Sequence, residues 1–295
     1  MSLLPHQKLV ILLIFFGSFS INPINADPQF PSDKYQDWKI DHAVIVVSDL
    51  NSSIEEFRSA GYTVIPGGVF PGAKTHNALI PFADGSYIEL FAAIDPSLAA
   101  QMKQLVDDGI FNDAMQDLDQ MDQRFMLHLA EGPGVRDFAL SAPGLNLTNE
   151  PSLVSSSGLN LSNPIAMSRI SDLGEVEWFV DVPLNDNKMS FPFLITDKTP
   201  RSYRVKEVNS TFHPNGATGI ASLTVAVSDP SRILPMYDSL LTGEPKNKTT
   251  ETTYLLNGSS ISIIRNSDIK KNDGPVNLEL KKNDGTTLSI RGFSL

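Results

Sequence analysis

The sequence predicts an α+β fold of repeated β-α-β-β-β modules, with a helical insertion between the first and second. Three observations predict it. Residues 40–47 alternate with a period of two, Ile40, His42, Val44 and Val46 on one side and Asp41, Ala43, Ile45 and Val47 on the other. The period then lengthens, with Ile54, Phe57 and Ala60 at helical spacing opposite Glu55, Glu56 and Arg58. Finally, SLTVAVSDP from Ser222 echoes HAVIVVSDL from His42 at an offset of 180 residues.

Taken in order, Lys8 precedes an apolar run, Leu9 to Phe16, followed by small and polar residues. That is the layout of a secretory signal, and the run is shorter than the ~20 residues of a spanning helix. Residues 1–26 therefore read as a signal peptide, cut after Ala26 or after Ser20, and the protein as secreted or periplasmic. An uncleaved N-terminal anchor is the alternative. Residues 27–39 form a polar lead-in.

The first module covers 40–96. Ser52 with Glu55, or Ser53 with Glu56, suits a capping box at the helix start, and Gly61 suits its end. Strands follow at 62–65, 75–82 and 86–92, the last two joined across Ala83-Asp84-Gly85. Residues 97–130 read as helix from the stripe Met102, Leu105, Met115, Leu118, Met121, Phe125 and Leu129, divided at Gly109. The acidic residues there lack the spacing and closing Glu of an EF-hand and read as a solvated face. His128 suits the helix C-terminus.

A second module covers 135–200, with strands at 136–142, 165–170, 176–182 and 191–197 and a helix at 150–157. A third, degenerate module and a C-terminal hairpin fill 213–295: a turn at His213–Gly216, a strand at 220–228, a helix at 231–241, strands at 252–257 and 260–265, and a hairpin around Asn283-Asp284-Gly285.

Composition limits the partners. Net charge is −11, which argues against nucleic acid and anionic membrane surfaces. Cysteine is absent, which removes thiolate nucleophiles and Cys-bound metals. No G-x-G-x-x-G, P-loop or G-x-S-x-G occurs. Six glycosylation sequons, at Asn51, Asn146, Asn160, Asn209, Asn247 and Asn257, matter only in a host that glycosylates. Oligomeric state is not legible.

The wording DHAVIVVSDL, then THNALIPFADGSYIEL, resembles the glyoxalase-like branch of the vicinal oxygen chelate superfamily (glyoxalase, bleomycin-resistance and extradiol-dioxygenase proteins). FPFLITDKTPR looks like a recurrent element of the same branch. The resemblance makes 40–212 one glyoxalase-like domain whose modules pair into half-open barrels around a divalent metal (Zn, Fe(II), Mn or Ni). It carries the family's first-strand metal ligand to His42 and its fourth-strand ligand to Glu89, which is also the catalytic carboxylate.

Register decides a third ligand. A two-residue turn at Asp84-Gly85 sets Ile80 opposite Glu89 and puts His76 on the Glu89 face; a three-residue loop turns His76 to the other face. The second module offers no His and Glu pair at Phe138 or near Ile195 and Thr196. In the third, Ser222 stands at the place of His42 and Ser262 at that of Glu89. For substrate binding, Arg201 is either a fork for a carboxylate or carbonyl or a surface partner of Asp197. Trp178 is pocket wall or core. His213 reaches the cup from its loop or serves its turn.

Two classes of function follow. One is a metal-dependent lyase, isomerase or dioxygenase acting on a small oxygenated molecule, with Glu89 moving a proton. The other is a binding protein that holds a small molecule without turnover. Export itself is testable: intact-mass measurement on protein from its native host should find a chain starting at Asp27 or Ile21, and a soluble chain starting at Met1 would refute the leader.

Overall fold

Two adjacent side chains, Asp41 and His42, break the simple alternation from which the first strand is read, and the fold explains how. The computed structural model describes residues 37–70, 74–148, 160–171, 174–186, 188–205, 210–241, 245–248, 250–266 and 272–290. All fall in one unit, Asp33–Leu295. The expected leader, nearly all of the lead-in and the helix at 150–157 lie outside the described residues. Among the described residues, no helix is long and apolar enough to cross a membrane.

The first module runs β1 (Lys39–Val46), α1 (Leu50–Ser59), β2 (Ile65–Phe70), β3 (Thr75–Pro81) and β4 (Tyr87–Ala93). Asp49, not Ser52 or Ser53, caps α1: its carboxylate accepts from the Ser52 amide at 2.7 Å. The insertion forms α2 (Ser97–Asp107), α3 (Phe111–Ala114) and α4 (Gln120–Glu131). The second module supplies β5 (Gly134–Ser141), β6 (Ile165–Ser171), β7 (Gly174–Asp181) and β8 (Phe193–Asp197), followed by the short α5 (Arg201–Arg204).

These strands make one eight-stranded sheet in the order β2-β3-β4-β1-β5-β8-β7-β6. Each module pairs its first and last strands in parallel, and β1 meets β5 antiparallel with His42 opposite Ala139. The sheet curls until its outer strands approach: a Cβ on Gly68 in β2 would stand 3.5 Å from Arg169 Cδ in β6. One face is therefore the inside of a cup.

Between Ile40 and His42 the pairing with β5 slips by one residue, so Asp41 is the extra residue of a β-bulge. Ile40 consequently joins Ala43, Ile45 and Val47 in the core behind the sheet, while Val44 and Val46 pack on the other side. The alternation that sets Ile40 beside His42 is thus corrected by one bulge. The third module contains β9 (Ala217–Val227), α6 (Pro230–Leu240), β10 (Lys246–Lys248), β11 (Glu251–Leu255) and β12 (Ser260–Arg265). Strands β13 (Gly274–Lys282) and β14 (Thr287–Ser289) complete a six-stranded sheet in the order β10-β11-β12-β9-β13-β14.

That sheet repeats the first module's arrangement, with Thr224 opposite Ser262 as Val44 is opposite Glu89. Leu223, Val225, Ile261, Ile263, Leu278 and Leu280 share one core with Ile45, Ile80, Ile88 and Leu90. The third module therefore covers the back of the cup.

His213 clasps this union. The Thr63 amide donates to its Nδ1 at 2.9 Å, so the ring proton is on Nε2, which donates to the Pro81 carbonyl at 2.8 Å. Burial lowers the pKa of this histidine. The unfolded chain takes up the proton more readily, so the clasp's stability is full above about pH 6.5 and is lost as pH falls below it. His213→Gln retains an acceptor and a donor but does not titrate. Urea midpoints at about pH 7 and about pH 5 should therefore show a smaller acid loss in the variant than in the wild type.

Candidate functional site

The cup holds a cleft of about 670 Å³, counting the space at its mouth. Its walls are mainly apolar: Trp178, Val180, Phe193 and Ile195 from the second module, Leu79 and Phe91 from the first, and Met121 and Phe125 from α4. Polar groups are few and sit mostly on one side, where His42, Asn77, Tyr87 and Glu89 come from β1, β3 and β4.

His42 is held from behind. The bulge turns Asp41 toward its neighbour, and the Asp41 carboxylate lies 2.8 Å from His42 Nδ1. Asp41 is fully buried; burial alone would raise its pKa, but Arg204, Arg201 and His42 outweigh burial and hold it well below the usual range. An ionised carboxylate only accepts, so Nδ1 carries a proton, and in the neutral ring Nε2 presents a lone pair to the cup. The ring stacks on Tyr87 at 4.4 Å between centroids. Tyr87 accepts a 2.7 Å hydrogen bond from Arg204, whose Nε and Nη2 also donate to Asp197.

Glu89 is held from the side. Asn77 Nδ2 donates to Glu89 Oε1 at 2.6 Å, and Asn77 Oδ1 accepts from the Gly68 amide at 2.6 Å. A second bulge, in β2 between Pro66 and Val69, brings that amide in. A Cβ on Gly67 would fall 2.0 Å from Asn77 Oδ1, so only glycine leaves room for this contact. The other Glu89 oxygen, Oε2, lies 3.6 Å from His42 Nε2.

With this geometry in place, comparison with known proteins is informative. Residues 40–241 match the family described as "Glyoxalase-like domain". The chain belongs to that family. It is thereby a member of the vicinal oxygen chelate superfamily. A hypothetical protein from Staphylococcus aureus, at 16% identity over 85% of this chain and 98% of its own, superposes with a TM-score of 0.62 and shows the shared fold. Two more distant structures are both from Streptomyces coelicolor. A mutant of 4-hydroxymandelate synthase has 10% identity over 83% of this chain and 71% of its own, with a TM-score of 0.45. Methylmalonyl-CoA epimerase with bound 2-nitronate-propionyl-CoA has 16% identity over 55% and 95%, with a TM-score of 0.35. No curated protein matches the chain in sequence.

The glyoxalase-like cup gathers three of the residues singled out from the sequence: His42, Glu89 and Trp178. It does not gather the other three. The β3–β4 connection has three residues, Phe82 pairing with Ser86, so Leu79 stands opposite Glu89 and Asn77 takes the cup position. His76 turns to the other face with Ala78 and Ile80. Arg201 is engaged by Asp41, Asp197 and the Gly85 carbonyl, and His213 by its clasp behind the sheet.

Cup residues not singled out include Asn77, Tyr87, Arg169 and Arg204. Parity with Glu89 identifies Asn77 and Tyr87 once the loop length is known. Parity with Met167 identifies Arg169. Arg204 follows β8 by a helical turn and left no signal. In the second module the counterpart of His42 is Ala139, not Phe138, and that of Glu89 is Ile195.

A divalent metal would find His42 Nε2 and Glu89 as protein donors. Catalytic zinc sites use three. Among the described residues no group of three His, Cys, Asp or Glu side chains is placed to hold a metal ion. The donor set is thus one short of the His42–His76–Glu89 triad. Removing the buried centre of the network should be costly: Asp41→Ala leaves Arg201 and Arg204 with Asp197 as their one shared carboxylate, and its urea midpoint should report a loss of roughly 3–5 kcal/mol.

Proposed function

We propose that this exported glyoxalase-like protein is a lyase- or isomerase-type enzyme that moves a proton on a small oxygenated molecule. One observation carries the reading: two acceptors, His42 Nε2 and Glu89 Oε2, face each other at 3.6 Å in a cleft with mainly apolar walls. Such a pair is stable with a positive centre between its members, and a proton taken from substrate is one. Asn77 occupies Oε1, which leaves Oε2 as the oxygen free to work. Export rests on the leader at 1–26 alone.

The chemistry follows from the holders. A carbon acid beside a carbonyl, seated against Trp178, would give its proton to Glu89 Oε2 or His42 Nε2, leaving the electron pair as an enolate on the substrate. If the proton arrives on His42, Asp41 stabilises the imidazolium through Nδ1–H without taking the proton itself. Returning it to the adjacent carbon or oxygen completes an isomerisation; expelling a leaving group instead completes an elimination. Superfamily members commonly hold a divalent metal. Bound here by His42 and Glu89, one would polarise a substrate oxygen; the two-histidine, one-carboxylate set of iron(II) dioxygenases is not assembled among the described residues. The apolar second-module wall, with Ala139 and Ile195 at the paired positions, also suits a binding protein without turnover.

Deuterium uptake from D2O into a panel of small 2-oxo and 2-hydroxy carbon acids, followed by NMR, tests the proposal. Glu89→Gln and His42→Ala should each slow exchange by roughly 10²-fold or more. Exchange that survives chelation would favour the metal-free route. Undiminished exchange in both variants, or none with the wild type, would leave the cup a binding site only.

A further inference from the structure

The cup contains a cation that forms no ion pair with any described residue. Arg169, on the cup's closing seam, lays its stem against Gly68 and donates one terminal nitrogen to the Arg204 carbonyl. It forms no ion pair among the described residues, and its Nε–H is buried without a hydrogen-bond partner. A charged donor left in this state is costly, and an unsatisfied buried group in an otherwise well-paired site calls for an occupant. The neighbouring cations differ: Arg204 is balanced by Asp41 and Asp197, and Arg201 by the same two carboxylates.

We infer that Arg169 determines specificity, its unpartnered Nε–H and its positive charge holding an anionic oxygen of a small organic acid whose apolar body lies on Trp178, Phe125 and Met167. A charged N–H donor suits a carboxylate oxygen better than a neutral one. Among the described residues the wall opposite supplies rings and a thioether but no second free cation, so the acid carries one such group and an apolar remainder. Asp122 also lines the cup; burial and the adjacent Asp119 push its pKa up. Burial lowers the Arg169 pKa, with Tyr87 and Glu89 countering and Arg204 adding to the effect, as expected of a cation short of negative charge.

The inference rests on reading the cup as a small-molecule site but not on the chemistry of His42 and Glu89. Phenylacetate and phenyllactate, each beside its amide, serve as probes in isothermal titration. The wild type should prefer each acid by about tenfold or more. Arg169→Gln should bind acid and amide alike while keeping the wild-type affinity for the amide, which shows the cup intact. Arg169→Lys should recover part of the preference. Glu89→Gln should keep the preference although it loses deuterium exchange, so failure of the proton chemistry leaves this assignment standing. Retention of the preference in Arg169→Gln, or a wild type that binds neither acid or does not distinguish acid from amide, would overturn it.

Discussion

The carboxylate of Asp41 is the constraint on which the site depends. It is fully buried, and such a charge is tolerated only with its lone pairs occupied and positive charge close by. Arg201 and Arg204 reach it from α5, beyond the last strand of the second module, and His42 reaches it from its own strand. The same group thus ties the two halves of the cup together and sets which nitrogen of His42 faces the cleft. Electrostatic fastening and tautomer selection are one interaction here.

The bulge that permits this recurs in the third module without the charge it carries. In β9 the pairing slips between Ile220 and Ser222, and Ala221 stands where Asp41 stands in β1. Ile220 and Leu223 both face the core, as Ile40 and Ala43 do. The third module keeps the kink and omits the carboxylate, its arginines and the two site residues. Depth is set elsewhere: Arg124 of α4 grips the buried Asp137 of β5 through two short hydrogen bonds, and His128 adds a third. That grip holds Met121 and Phe125 of the same helix in the cup wall.

Alternation and helical spacing made the modules legible, because burying one face of a strand or helix imposes those periods on the residues. The echo between His42 and Ser222 located the third module for the same reason. Bulges and loop lengths were not legible. A single extra residue at Asp41 or at Gly67-Gly68 leaves no mark on composition, yet each reverses which side chains share a face. Arg169 had a weak signal: it shares parity with Met167, while Ile170 beside it is 80% exposed, an inversion of the usual pattern. Arg201 attracted attention as the first arginine after the strand, but a helical turn carries Arg204, not Arg201, to the cleft.

The loop Ala83-Asp84-Gly85 acts as a reading frame for the cup. Its three residues place Asn77 beside Glu89 and send His76 outward. Deleting one residue there would slide β3 by a single position against β4, exchange the amide for an imidazole, and convert a facing histidine–carboxylate pair into the two-histidine, one-carboxylate set that binds iron(II). Metal uptake by such a deletion variant would show the change directly. One codon in a surface hairpin thus separates two chemistries on the same scaffold, and a lineage could cross between them without altering any residue in the cleft itself.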